Sequence, residues 1–186
     1  MKTLILILTF IISITGYASD EDILNDIRRG TPKKIWVRSQ HYLLPIIDIA
    51  KSLDMDPKVI YAMAWRETHF RIRKSKKGAS GLLQVMPETR KELLKKNLGL
   101  VKALKIQHSF DSMIIGSDQI ENIILGTLYI KKLQKMFDGN MKLAIIAYNM
   151  GPYRIKRKLR KGIVVGNNHQ YFKKINKSLI MIAGNI

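Results

Sequence analysis

The chain has 186 residues, which is enough for one domain and few for two. At 46% hydrophobic and 25% charged residues, its composition is that of a globular protein and excludes a disordered one. It has no cysteine, which excludes disulfides, thiolate zinc sites, cysteine nucleophiles and a lipobox. The 33 Lys and Arg residues outnumber 14 Asp and Glu, and the net charge of +19 indicates an anionic polymer or surface as a neighbour.

The first 18 residues have the pattern of a secretory signal peptide. A single cation, Lys2, precedes an apolar run over residues 4–14 and small residues at Gly16 and Ala18. The run is too short to span a bilayer as a helix, which takes about 20 residues. We therefore expect cleavage after Ala18 and export of the chain to the periplasm or the medium. The alternative is an uncleaved membrane anchor.

Helical signals dominate the rest of the chain. Residues 19–39 are charged and interrupted by Gly30 and Pro32, which predicts a peripheral or loosely packed N-terminal arm. A single domain is predicted over residues 40–186, and its fold class is mainly α with at most a minor extended or β element. That element is a strand or an extended loop at residues 162–166. Apolar periodicity, N-caps and turn residues predict helices at residues 42–53, 57–70, 87–94, 118–137, 141–149 and 170–183.

Glu67 lies in an apolar segment, where burying a carboxylate costs free energy. The helix predicted at residues 57–70 is apolar on nearly every face, and Glu67 lies on the face defined by Ile60, Met63 and Ala64. Two interpretations are open at this point. Glu67 either forms an ion pair with Arg71 one turn later, or is a general acid whose pKa is raised by desolvation, as in glycosidases.

Uncharged polar residues recur in apolar surroundings further along the chain. Gln84 lies in the apolar segment 81–87, Asn122 opens the run 122–126, and Tyr148 and Asn149 end a predicted buried helix. Amide and phenol groups without histidine or cysteine are typical of a site for sugar hydroxyls and acetamido groups. Their order and spacing carry more weight than each motif alone.

At these residues the chain resembles the soluble lytic transglycosylases, which share the goose-type lysozyme (lysozyme-like) fold. The resemblance covers about residues 40–183. It rests on Glu67-Thr68, on Gly-Leu-Leu-Gln-Val-Met-Pro at 81–87, on Asn-Ile-Ile-Leu-Gly at 122–126, and on Ala-Tyr-Asn-Met-Gly at 147–151. The chain departs from the family pattern in three places. Thr68 replaces the usual serine, and Gln119 follows Asp118 where the family often has proline. Residues 168–172 stand where the family has its late tyrosine segment, and we match Tyr171 to the tyrosine of that segment.

The resemblance implies a peptidoglycan lytic transglycosylase. Glu67 would protonate the oxygen between N-acetylmuramic acid and N-acetylglucosamine, and then take the proton of the muramoyl C6 hydroxyl to close a 1,6-anhydro ring. The substrate's acetamido group would replace the second carboxylate of ordinary glycosidases. The implied substrate-binding residues are Thr68, Gln84, Asn122, Tyr148, Asn149 and Tyr171, with Thr68 orienting Glu67 and Tyr171 bonding either Glu67 or the substrate.

No metal or cofactor is expected, since the four histidines share no ligand spacing. Glu88, Glu92 and Glu121 are predicted as solvated helix charges. Two alternatives remain: a lysozyme-type hydrolase of the same bond, and a catalytically inactive protein that binds the wall or assembles a secretion machine. The expected partners are glycan strands and secretion, conjugation or pilus machinery, and a monomer is expected.

After Asp138 the chain has no acidic residue, yet it continues with a dense run of cations. This run is either a solvated helix face or a surface that steers the protein toward the anionic wall or another anionic partner. Nucleic acid is not expected, because the exported chain carries no nucleic-acid motif. The run consists chiefly of Arg154, Lys156, Arg157, Lys158, Arg160, Lys161, Lys173, Lys174 and Lys177.

Overall fold

A computed structural model describes residues 19–166 and 169–183, and it confirms the mainly α fold class. The predicted signal peptide lies outside the described residues. Within them the chain forms nine helices and no strand; two isolated antiparallel bridges, Lys74–Ser80 and Ser80–Val85, are the minor β element. The helices are α1 Asp20–Gly30, α2 Lys33–Ser52, α3 Pro57–Thr68, α4 Pro87–Gln107, α5 Ser109–Ile115, α6 Ser117–Met136, α7 Met141–Met150, α8 Pro152–Arg160 and α9 Gln170–Ala183.

The N-terminal arm is helical and well packed, so the prediction of a loose arm is wrong. Ser19 and Asp22 form a capping box that starts α1, and Ile23 and Ile27 are buried against the core. The charged residues conceal this apolar pair, which lies on one face because it is four positions apart. Gly30 touches α9 so closely that a Cβ at this position would overlap the backbone of Met181.

Helix α3 is the centre of the fold and starts as predicted. Asp56 is its N-cap and accepts the Lys58 N–H at 2.8 Å, and Pro57 occupies the first helical position. Most of its side chains are buried, between α2 on one side and α9 on the other. It ends at Thr68, earlier than predicted, because His69 and Phe70 both adopt left-handed backbone conformations with φ of 54° and 56°.

Three helices, α1, α5 and α8, were not predicted, and two are longer than predicted, since α2 already begins at Lys33. Helix α4 continues past residue 94 to Gln107, with a kink at Asn97 (φ −131°). Pro152 starts α8, since proline is well suited to a first helical position. Helix α5 joins α4 to α6, and residues 163–166 are irregular rather than a strand.

The buried apolar residues form one core, which extends from Ile23 to Ile182. No helix among the described residues has the length and apolar character needed to cross a membrane.

Candidate active site

Glu67 lies in the last turn of α3 and is only partly exposed among apolar side chains. Burial raises the pKa of its carboxyl group above the usual 4.5, and a hydrogen bond from Tyr171 and the nearby charge of Arg73 oppose that shift. Because α3 ends at Thr68, Arg71 does not follow Glu67 on a helix face. The geometry therefore favours the interpretation of Glu67 as a desolvated acid over that of a helix ion pair.

Tyr171 reaches Glu67 from the far end of the chain. It lies in the first turn of α9, and its hydroxyl donates a hydrogen bond to Glu67 Oε1. Burial and the Glu67 charge raise the pKa of Tyr171 well above its ordinary range, so the phenol remains a proton donor to the carboxylate. Of the two roles expected for Tyr171, the structure shows the bond to Glu67.

We expect Tyr171→Phe to shift the alkaline limb of the pH–rate profile to higher pH. The lost hydrogen bond stabilises the ionised carboxylate, so its removal raises the pKa of Glu67 further. An enzyme that needs protonated Glu67 loses activity as pH rises through that pKa, and in the variant the loss begins later. Measuring kcat/KM across pH for both proteins checks this, and a limb that moves to lower pH contradicts the role given to Tyr171.

Asn122 on α6 holds the loop that faces Glu67. The loop is the segment of residues 80–84 between α3 and α4. Its Oδ1 accepts the Leu83 N–H at 2.8 Å, and its Nδ2 donates to the Ser80 carbonyl at 2.8 Å. Gly81 between them has φ of +75°, and a Cβ there would lie closer than 3.0 Å to Asn122 side-chain atoms. Asn122 thus acts on the loop backbone, and its side chain is 8% exposed.

Thr68 has the same kind of role and is not placed to bind substrate directly. It is 1% exposed, and its hydroxyl contacts the carbonyl oxygens of Ala64 and Leu82, each at 3.1 Å. These contacts join the end of α3 to the loop, and so fix the backbone next to Glu67. A serine or threonine hydroxyl can make these contacts equally, so we expect little loss from the departure from the family's serine.

Gln84 has a left-handed backbone, with φ of 47°, at the turn of the loop. Its Nε2 donates to the carbonyl oxygens of Arg73 and Gly81, each at 2.9 Å. The side chain is partly exposed, and the two bonds orient its amide. Gln84 is the predicted ligand that lies in the loop, and its side chain is both partly exposed and fixed in orientation.

Tyr148 on α7 completes the group around Glu67. Its hydroxyl donates to the Leu83 carbonyl at 2.7 Å, and its ring lies 5.1 Å from that of Tyr129. Burial raises the pKa of Tyr148 well above its usual range, and the Glu67 charge adds to the shift. Its partner Leu83 follows Leu82, whose carbonyl Thr68 contacts, so Tyr148 lies near the end of α3 that carries Glu67. Asn149, one residue on, is exposed. The structure thus brings Tyr148 and Tyr171 to Glu67 and leaves Asn149 open to solvent.

Arg73 belongs to the site and was missed by the sequence analysis. Its guanidinium donates a hydrogen bond to the backbone carbonyl oxygen of Glu67. Its charge lowers the pKa of the Glu67 side-chain carboxyl. It lies in a run of basic residues, 71–77, that looks like ordinary solvated surface. Its position depends on the left-handed turn at residues 69 and 70, which no spacing rule predicts.

A cleft of about 430 Å³ lies beside the loop and includes Arg73, Gly81 and Asn122 in its lining. Gln119, which replaces the family's proline, also lines it and is 8% exposed, with no hydrogen-bond partner for its buried Oε1.

Glu121 is not a solvated charge as predicted, since Arg90 and Lys105 form ion pairs with it at 2.5 Å and 3.1 Å. Among residues 19–166 and 169–183, no three acidic or histidine side chains come together as metal ligands.

Comparisons with known proteins agree with this arrangement. Residues 45–169 match the family model of the transglycosylase SLT domain. A solved structure of an inactive glutamate-to-glutamine mutant of the lytic transglycosylase Slt from Pseudomonas aeruginosa is similar, with 28% sequence identity and a TM-score of 0.52. The match covers 73% of this chain and 20% of that one, so the chain spans about a fifth of that protein's length. The family match includes Glu67, the loop and Tyr148, and the chain belongs to the transglycosylase SLT domain family.

Proposed function

We propose that the chain is an exported lytic transglycosylase that cleaves the β-1,4 bond between N-acetylmuramic acid and N-acetylglucosamine in peptidoglycan. The observation that carries this proposal is a desolvated acid, Glu67, bonded by Tyr171 at the end of α3 in a chain of the SLT family. A carboxyl with a raised pKa is suited to protonate a leaving oxygen near neutral pH.

The proton of Glu67 goes to the glycosidic oxygen as the bond from that oxygen to the muramoyl anomeric carbon breaks. The carbonyl oxygen of the substrate's own acetamido group bonds to the anomeric carbon and takes up the developing positive charge. The Glu67 carboxylate then removes the proton of the C6 hydroxyl, and O6 displaces the acetamido oxygen. The product is a 1,6-anhydro ring, the carboxyl is protonated again, and no water is consumed.

Tyr171 and Arg73 balance the two proton transfers of Glu67. Burial alone keeps the acid protonated and available, but a strongly raised pKa makes it a weaker proton donor in the first step. The Tyr171 hydrogen bond and the Arg73 charge lower the pKa toward its ordinary value. With both influences present, the same carboxyl can give a proton in the first step and accept one in the second.

We assign the predicted ligands to two groups. Gln84, Tyr148 and Asn149 face the substrate, since Gln84 is partly exposed and oriented, Tyr148 lies beside Glu67 and Asn149 is exposed. Thr68 and Asn122 are positioning residues, because they are buried and their hydrogen bonds go to the loop backbone. No step of this mechanism calls for a metal or a cofactor.

Mass spectrometry of the fragments released from purified sacculi by residues 19–186 tests the proposal. We expect muropeptides that end in 1,6-anhydromuramic acid, each lighter by one water than the hydrolysis product. Reducing-end products would instead establish a lysozyme-type hydrolase and overturn the anhydro-forming step. Binding to sacculi with no released fragment would overturn the enzyme assignment and favour a wall-binding or assembly role.

A further inference from the structure

The surface formed by α8 and the loop that follows it combines dense positive charge with exposed apolar side chains. We propose that this surface, residues 152–166, docks the protein on a bilayer that contains anionic phospholipids, and we name it the basic face. The proposal concerns the location of the protein and does not rest on the catalytic role of Glu67.

The charge of the basic face is not neutralised by the protein itself. Its cations are exposed or partly exposed, and none of them forms an ion pair with another described residue. No acidic residue follows Asp138 in the sequence. Unpaired cations on an exposed helix retain their attraction for an external anionic surface. The six cations are Arg154, Lys156, Arg157, Lys158, Arg160 and Lys161.

Apolar side chains extend from the same surface into solvent. Ile155 anchors α8 to the core, whereas Tyr153 on its outer side is 83% exposed. In the loop, Val164 is 91% exposed and Ile163 is 47% exposed. Aliphatic side chains held in water gain free energy when they enter an apolar phase, and tyrosine favours the membrane–water interface.

The combination of these two features favours a bilayer over another anionic partner. A wall polymer or a nucleic acid neutralises cations but offers no apolar phase for Ile163 and Val164. A basic helix with apolar side chains beside its cations is the pattern of segments that lie in the membrane interface. A shallow groove of about 380 Å³ continues this apolar surface, and its lining includes Leu143, Leu159 and Val165.

The basic face adjoins the candidate active site. His169 Nε2 contacts Met150 Sδ at 2.9 Å, and Met150 lies two residues before the start of α8, so the start of α9 lies close to α8. Tyr171, which bonds Glu67, follows two residues after His169. A bilayer on the basic face would therefore hold the site near the membrane surface.

Sedimentation with lipid vesicles tests the proposal on residues 19–186, which contain the complete described core and lack the apolar run of residues 4–14. We expect binding to vesicles of phosphatidylcholine with phosphatidylglycerol and little binding to phosphatidylcholine alone. Binding should weaken as salt shortens the screening length below about 8 Å. Equal binding to both vesicles, or to neither, would overturn the proposal.

A charge-removal variant locates the interaction. Replacing four cations as Lys156→Gln, Arg157→Gln, Arg160→Gln and Lys161→Gln should weaken binding to anionic vesicles by about 600-fold, since each cation near such a surface contributes roughly fivefold. The matched control removes the same charge elsewhere, as Lys91→Gln, Lys95→Gln, Lys102→Gln and Lys135→Gln. An equal loss in both variants would show that net charge alone is responsible and would contradict a defined face.

An apolar variant separates a membrane from a polyanion. Ile163→Ser with Val164→Ser should weaken vesicle binding about tenfold and leave binding to purified sacculi unchanged. Vesicle binding equal to that of the unaltered protein would overturn the proposal. Glu67→Gln should bind vesicles as the unaltered protein does, so failure of the docking proposal is distinguishable from failure of the proposed function.

Discussion

Replacing Glu67 with glutamine is expected to lower kcat on glycan strands by about 1,000-fold, because a positioned general acid contributes 10²–10⁴-fold and glutamine cannot donate that proton. Substrate binding and the fold should persist, since the side chains are alike in size and the amide oxygen can still accept the Tyr171 hydrogen bond. Steady-state kinetics on soluble glycan fragments, with sacculus binding measured in parallel, checks both parts.

The same variant should change stability with a definite sign. The pKa of Glu67 is raised by folding, so its contribution to the free energy of unfolding is complete below the ordinary value of 4.5 and is lost as pH rises through the raised pKa. Glu67→Gln should therefore be at least as stable as the unaltered protein at pH 7, with the difference vanishing under acidic conditions. Thermal melts at both pH values measure this.

Glu88 offers a matched control for the glutamine substitution. It is an exposed glutamate in the first turn of α4, so Glu88→Gln should leave kcat unchanged. Activity retained in Glu67→Gln, or lost equally in Glu88→Gln, would contradict the assignment of Glu67 as the acid.

Gly81→Ala is expected to destabilise the protein by about 2–4 kcal/mol and to lower activity at least tenfold. The backbone there has φ of +75°, which costs alanine about 1 kcal/mol, and the new Cβ would displace Asn122 from its two loop hydrogen bonds. Gln84 and Leu83 move with that loop, so the site next to Glu67 is disturbed. Urea unfolding and kinetics on the same protein measure the two effects.

Two further variants test whether the effect of Gly81→Ala arises from its overlap with Asn122. Gly99→Ala lies within α4 with no atom near its added Cβ, and it should stabilise by about 0.5–1 kcal/mol. In an Asn122→Ala background the overlap is gone, so the cost of Gly81→Ala should fall to about 1 kcal/mol. A cost that is the same with and without Asn122 would show that the two residues do not interact as described.

Local signals predicted the parts of the fold that local chemistry determines. Asp56 and Pro57 identify the start of α3, and the apolar sequence around Glu67 identifies a buried acid, because caps and burial are encoded within a few residues. The N-terminal arm was misread since charge hid the Ile23–Ile27 pair, and its packing partner, α9, lies at the other end of the chain.

The site was predictable in membership and less so in roles. Tyr171 bonds Glu67, which is one of its two expected roles, whereas sequence could not tell that Asn122 and Thr68 bond the loop backbone. Asn149, also predicted as a ligand, is exposed. These roles depend on contacts between distant parts of the chain, since α9 packs on α3 and Asn122 on α6 bonds the loop. Arg73 was unpredictable because the left-handed pair at residues 69 and 70 sets where it points.

The claim at the centre of this account is that Glu67 is a desolvated acid with a raised pKa, and a direct titration tests it. Carbon-13 NMR of the Glu67 carboxyl, assigned by comparison with Glu67→Gln, gives that pKa in the folded protein. We predict a value above the ordinary 4.5 and a still higher one in Tyr171→Phe. A value at or below 4.5 would mean a solvated or ion-paired carboxylate, and would contradict the acid role from which the proposed mechanism starts.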